Sequence, residues 1–388
     1  MIQLSHSNRS ALSAMKQILV VPLALAWVSF IHAEPENAVV FTIEPSREFP
    51  RNSEGSFLTL KSGEIRFFYT QFYGGGADDS AARIVSVRSS DGGRSWDAVP
   101  RPVVENSGGA NVMSVSLLRL KSGRVALFYL IKNSWTDCRP YVRFSNDEGE
   151  SWSDPKLLIE APGYFVLNND RVIQHSSGRL IAPLAFHRAR ANDARSSRSF
   201  DSRAIALWVV SDDDGESWKE APQWLALPVP GTRTGLQEPG VVELPRGSLL
   251  SWFRTDQGVQ FESRSADRGN SWTPLLAGEL KSPASPASIK CIPGTENLLG
   301  IWNDHSGQFP MVKGKRTPLV AALSSDGGKT WVSRKLIEGD PDGWYCYTAI
   351  HFVDRAVLLA HCAGDSKVGG LNRLRVRRID LDWFVAKD

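Results

Sequence analysis

Apolar and polar positions alternate through this chain in one recurring arrangement: an apolar strand, a short turn, then a second apolar strand. This is the signature of a β-hairpin. The first copy spans residues 57–69 and turns at Gly63, and the second spans 116–129 and turns at Gly123. Four more follow, at 171–186 around Gly178, 240–253 around Gly247, 287–302 around Pro293 and Gly294, and 348–361 around Asp354. No helical periodicity of any length competes with this pattern.

A second repeat alternates with the first. The pattern Ser-x-Asp-x-Gly-x-Ser/Thr-Trp occupies 89–96, 145–152, 211–218, 265–272 and 324–331. Asp and Gly sit where a tight loop needs a side-chain acceptor and a residue free to take positive φ. The Trp that follows is expected to lock the turn against its own sheet. Copy by copy these are structural staples. The unit is a hairpin, a third strand, an Asp-Gly turn and a fourth strand. Successive motif aspartates lie about 54 to 66 residues apart, the length of a four-stranded sheet with its loops. Six units fill residues 34–388 with no linker left over, so the expected fold is all-β, a six-bladed β-propeller of four-stranded antiparallel blades. The sixth unit lacks the motif. Its outer part is expected at 371–381, joined by 39–43 from the other end of the chain.

Composition narrows the function. The 388 residues are 42% hydrophobic, with 32 Gly, 22 Pro and 13 Trp, which suits a large core rich in turns and aromatics. The formal net charge is only +3, so nucleic-acid binding has no compositional support. Residues 1–33 read as an export signal: Arg9 and Lys16 precede an apolar run, and Ala33 offers a small residue for cleavage before Glu34. The expected location is secreted or periplasmic, with no membrane span after signal cleavage. Of four cysteines, Cys346 and Cys362 are placed on adjacent strands where pairing after export is open, and no spacing resembles a metal site. No metal or cofactor is expected.

The first strand of each unit should line the axis of a propeller. Residues at the start of these strands include Arg51, Glu54, Asn111, Asn168, Asn169, Asp170, Arg171, Glu238, Ser285 and Tyr347. The ends of the second strands add His187, Arg254, Asn303 and Asp304. A ring mixing arginines, carboxylates and a phenol suits an anionic, hydroxyl-rich ligand.

At these residues the chain resembles the sialidase (neuraminidase) superfamily, from residue 41 to about 383, and the five turn motifs resemble that family's Asp-boxes. Leu236-Gln237-Glu238-Pro239, with Arg254 at the end of the second strand, resembles the family's glutamate and second triad arginine. Arg316 sits where the third arginine is expected. Tyr347-Thr348-Ala349-Ile350 resembles the nucleophile segment, and Asp78 matches the acid/base aspartate, with Asp79 as the alternative. Two departures stand out: Pro50-Arg51-Asn52-Ser53-Glu54 replaces the Arg-Ile-Pro segment of the first arginine, and Ala360-His361-Cys362 lacks the glutamate that supports it.

The resemblance implies an exo-α-sialidase-like hydrolase acting on an acidic glycan or glycoconjugate with retention of configuration. Tyr347 would be the nucleophile, since a phenol is not repelled by the substrate carboxylate, and Glu238 its base. Arg51, Arg254 and Arg316 would clamp that carboxylate, with Asn169, Asp170 and His187 as further binding residues. Asp78 would protonate the leaving oxygen. Two rivals remain: a lyase or other glycosidase for a uronate, using His187 and Tyr347, and a non-catalytic carbohydrate-binding propeller.

Overall fold

The computed structural model describes residues 36–386, so the expected export signal lies outside the described residues. Within them the fold is all-β. The only helical turns are three short 3-10 segments, Ser197–Ser199, Pro245–Gly247 and Leu381–Phe384.

The hairpin arithmetic of the sequence reappears as sheets. One four-stranded sheet runs Arg51–Thr59, Ile65–Phe72, Ala82–Ser89 and Arg101–Val104 in chain order. Two others do the same: Gln237–Glu243 with Leu249–Arg254, Val259–Ser265 and Leu276–Lys281, then Ser288–Cys291 with Leu298–Asn303, Leu319–Ser324 and Val332–Glu338. The last hairpin, Trp344–Val353 and Ala356–Gly364, is extended by Leu374–Asp380 and finally by Asn37–Ile43, which pairs antiparallel with Leu374–Asp380. The N-terminal strand therefore completes the C-terminal sheet, as its apolar pattern predicts.

The remaining hairpins depart from the expectation. They belong to one nine-stranded sheet, because the short strand Tyr164–Val166 bridges them. Tyr164 pairs in parallel with Cys138 on one side, and its strand pairs antiparallel with Leu180–Ala189 on the other.

Apolar faces pack between neighbouring sheets. Leu58, Phe68 and Ile84 of the first sheet share a core with Val112, Leu127 and Tyr129 of the next. The motif tryptophans meet the expectation of packing on their own sheet at Trp96, against Phe57 and Phe67, and depart from it at Trp152 and Trp272, which reach a neighbouring sheet. Trp152 meets Phe68 edge-on, Trp218 meets Phe128 edge-on, and Trp272 stacks on Trp208 at 4.1 Å. Trp331 does stay with its own sheet, against Trp302. A ring wedged between two sheets buries both faces, so it gains more contact there than over one sheet.

The motif aspartates staple the turns. Asp91 accepts from Ser89 Oγ at 2.8 Å, from Ser95 N at 2.9 Å and from Ser95 Oγ at 2.6 Å, and the other four copies repeat the arrangement.

Candidate active site

The site is built from a repeated backbone irregularity. Four first strands lose register at the same place: between Ser53 and Ser56, Met113 and Ser116, Gln237 and Gly240, and Cys346 and Ala349. One residue in each bulge takes a positive φ: Glu54 at 57°, Ser114 at 60°, Glu238 at 46° and Tyr347 at 57°. An L-residue there costs about 1–2 kcal/mol, which surrounding contacts must offset. Bulges re-aim side chains. All four of these residues line one cavity of about 290 Å³, together with Asp78, Asn168, His187, Arg254 and Arg316.

Tyr347 Oη donates to Glu238 Oε1 at 3.2 Å, and Arg254 Nη1 donates to the same oxygen at 2.7 Å. Burial pushes the Glu238 carboxyl up, but Arg254 and Arg316 outweigh it and hold the group below the usual carboxylate range. Burial, helped by the Glu238 charge, pushes the Tyr347 phenol well above its ordinary value. The pair therefore rests as a neutral phenol beside a ready carboxylate. Arg316 is anchored by its own carbonyl, which accepts from Tyr345 N and Asn303 Nδ2, both at 2.8 Å. Its guanidinium lies 5.5 Å from the Tyr347 ring centre. Arg316 Nη1, Arg254 Nε and Glu238 Oε2 are all buried without a partner.

Arg51 is differently employed. It is 1% exposed, and its guanidinium donates to Asp78 Oδ1 at 2.6 Å, Glu54 Oε1 at 3.4 Å, Gly76 O at 3.3 Å and Ser53 Oγ at 3.1 Å. It stands behind the cavity wall rather than in it. Glu54, from the same strand, lies beside the Arg51 guanidinium at 3.4 Å. Burial lifts the Glu54 carboxyl to about 7, against the pull of Arg51. Asp78 is exposed, and although its enclosure at the mouth pushes its carboxyl up, Arg51 holds it below the ordinary value. Asn111 Nδ2 and Lys132 Nζ grip the Asp78 carbonyl at 3.0 and 3.1 Å.

Asn169 and Asp170 lie away from the cavity wall. Asn169 Nδ2 donates to Gly55 O at 2.9 Å and Tyr347 O at 3.1 Å, and so braces two of the bulges. Asp170 accepts from Lys290 Nζ at 2.7 Å, Ser56 Oγ at 3.0 Å and Ile350 N at 2.9 Å. Asn168 faces the cavity in their place, with its Nδ2 buried and unpartnered. His187 lines the cavity, donates from Nδ1 to Asp201 O at 2.9 Å, and is held neutral by burial, which lowers it to about 4.

Ser114 and the apolar wall of Trp135, Tyr164 and Phe200 were not foreseen. Ser114 had a signal: like Glu54 and Glu238, it stands nine residues before its hairpin glycine. Cys346 and Cys362 are cross-strand neighbours, and both are free thiols. Among the described residues no group of three or more His, Cys, Asp or Glu is gathered to hold a metal.

The BNR repeat-like domain family matches residues 109–357 of this sequence, most of the chain. The chain belongs to the BNR-repeat sialidase superfamily. Two curated relatives of this sialidase superfamily align: an anhydrosialidase of Macrobdella decora, 29% identical over 34% of this chain and 16% of that protein, and a sialidase of Paraclostridium sordellii, 25% identical over 56% of each. The chain thus spans little of the first relative and about half of the second. Among solved structures, an intramolecular trans-sialidase from Ruminococcus gnavus matches 90% of this chain and 98% of its own, with TM-score 0.67 and 15% identity. A sialidase from Streptococcus pneumoniae matches 89% of this chain and 70% of its own, with TM-score 0.66 and 16% identity. A protein of unknown function from Dyadobacter fermentans matches 89% of this chain and all of its own, with TM-score 0.68 and 18% identity. At these identities the likeness to the solved structures is one of fold.

Proposed function

We propose that this chain is an exported six-bladed propeller that releases a terminal sialic or closely related acidic sugar by a retaining mechanism. The six-fold reading joins the sheet count to the two hairpins fused in the nine-stranded sheet. The observation that carries the reaction is the set of unpaired buried donors, Arg254 Nε and Arg316 Nη1, beside the Tyr347–Glu238 contact. Buried donors without partners are costly unless a ligand completes them. A substrate carboxylate does so, as two guanidinium forks bind it in a plane.

In the first step Tyr347 Oη attacks the anomeric carbon while its proton passes to Glu238. The glycosidic C–O bond breaks, and Asp78 gives a proton to the departing oxygen. In the second step Asp78 takes a proton from water, the water oxygen attacks the anomeric carbon, and Tyr347 leaves and recovers its proton from Glu238. Arg51 holds Asp78 ionised at rest, so substrate entry must loosen that contact and let Asp78 take up a proton from solvent before it can deliver one. Arg51 itself acts from behind, leaving a clamp of two arginines rather than three.

The experiment is hydrolysis of a fluorogenic sialoside beside a panel of uronates, with NMR of the first-formed anomer. Turnover of the sialoside with retention is expected. Turnover of uronates alone, or of nothing, removes the proposal.

One observation favours the lyase rival: His187 is neutral and lines the cavity, so its Nε2 can accept a proton. Changing Tyr347→Phe and His187→Ala separates the two. Loss in the first alone fits hydrolysis, and loss in both with an ultraviolet-absorbing product fits elimination.

A further inference from the structure

The hairpin between Leu180–Ala189 and Phe200–Ser211 carries an unusual charge at its tip. Residues 188–203 hold Arg188, Arg190, Arg195, Arg198 and Arg203 against Asp193 and Asp201, a net +3 that equals the formal charge of the whole chain. The rest of the sequence therefore sums to zero, and its densest basic run, residues 373–378, is paired with Glu44, Glu338, Asp365 and Asp380. All five arginines are exposed.

The tip is held in shape. Arg190 N donates to Ser199 O at 2.7 Å, Ser199 Oγ donates to Asp193 O at 2.7 Å, and the turn Ser197–Ser199 closes it. Asp201, itself 4% exposed, takes one Nη from Arg188 at 3.3 Å and one from Arg190 at 2.8 Å. Each of those guanidiniums keeps its other donors free. The side chains of Arg195 and Arg198 make no hydrogen bond or ion pair among the described residues.

The tip also grows out of the cavity wall. His187 and Phe200 flank it, stack at 4.5 Å, and both line the cavity. Trp135, another wall residue, donates from its backbone N to Ala194 O at 3.0 Å and meets the Phe200 ring at 5.9 Å.

Around the cavity, Arg51 is engaged by Glu54 and Asp78 and Arg254 by Glu238, so much of the inner charge is already spent on protein partners. An acidic sugar on a neutral carrier would use the inner clamp and leave the tip idle. A solvated face with no ligand would more often mix its signs, as the rest of this chain does.

We infer that the 188–203 tip is a subsite for a second anionic group of the glycan, a carboxylate or a sulfate, on the sugar next to the one held by Arg254 and Arg316. This rests on the acidic-sugar reading of the cavity. Arginine forks suit both anions, and exposed charge beside a cleft raises the encounter rate with oppositely charged ligands.

The test measures binding by calorimetry to the full chain carrying Tyr347→Phe, and kcat/KM on the parent. Three ligands are compared: a sialoside on a neutral carrier, a short oligomer of sialic acid, and a sialoside whose neighbouring sugar bears a sulfate. At low salt, about 0.02 M, the two multiply charged ligands are expected to bind roughly tenfold more tightly than the first, and the advantage should collapse by about 0.3 M as screening shortens the range. Arg195→Gln with Arg198→Gln should abolish the advantage and leave turnover of the singly charged ligand unchanged. The single variant Arg198→Gln serves if the pair lowers the melting temperature. The ligand with the larger advantage identifies the anion. Equal affinity for all three ligands, or an advantage that survives the double substitution, overturns the inference. If nothing is turned over while tip-dependent binding persists, the hydrolase reading falls and the subsite stands.

Discussion

Tyr347 and Glu238 are aimed by strained backbone, and their substitution tests the chemistry. Glu238→Gln replaces the carboxylate base 3.2 Å from the phenol by a neutral amide that can still accept, and should lower kcat/KM about 10²–10⁴-fold. Glu54 gives a different readout. Its carboxyl loses its proton near 4.5 in the unfolded chain and near 7 in the fold. Between those values the folded state holds more protons, so Glu54's contribution to stability is complete below about pH 4.5 and is lost as pH rises through 7. Denaturant titrations of the parent and Glu54→Gln should therefore show the parent's relative stability falling by roughly 3 kcal/mol over that window. A flat difference would mean that Glu54 is not held protonated. At this scale the sequence was legible where a residue belongs to a hairpin. Tyr347, Glu238 and Arg254 are placed by the strand pattern and share one cavity. It was not legible where the wall comes from connections. Trp135 and Phe200 reach the cavity from the ends of loops, and no period in the chain fixes where such loops fold. Asn169 and Asp170 were read as ligand-facing because they are polar and near the axis, but a crowded axis also needs polar braces, and both are spent on backbone and lysine partners.

The elements are stapled in pairs. Trp272 is 5% exposed and stacks on Trp208 of the neighbouring sheet, so Trp272→Ala leaves a void in a seam. A loss of about 3–5 kcal/mol is expected in equilibrium denaturation, beyond what a surface turn would give. A cost under about 1 kcal/mol would show that the motif tryptophans are not what holds adjacent sheets together. The turn pattern gave the position of each tryptophan but not its partner. An eight-residue motif encodes its own hydrogen bonds, whereas the seam depends on how two sheets meet. The fusion through Tyr164–Val166 escaped for the same reason: three residues of strand carry no period to read.

At the scale of the molecule, the two ends of the chain meet in one sheet. Deleting Asn37–Ile43 exposes the whole edge of Leu374–Asp380, and an unpaired edge invites pairing between molecules. The truncated chain is expected to melt at lower temperature and to aggregate during refolding, both visible by light scattering against temperature. Unchanged melting would make the N-terminal strand an ornament. The all-β hairpin repeat was the most legible property of all, because repetition multiplies a weak local signal until it overrides the prior from length.

Pairing Asn37 with Ile379 also sets a clock on biosynthesis. Among the described strands, the first to leave the ribosome has no partner until the last has been made, so this sheet cannot be completed until residues 374–380 have emerged. A sheet that waits for residues 374–380 keeps residues 37–43 without their partner for the whole interval between.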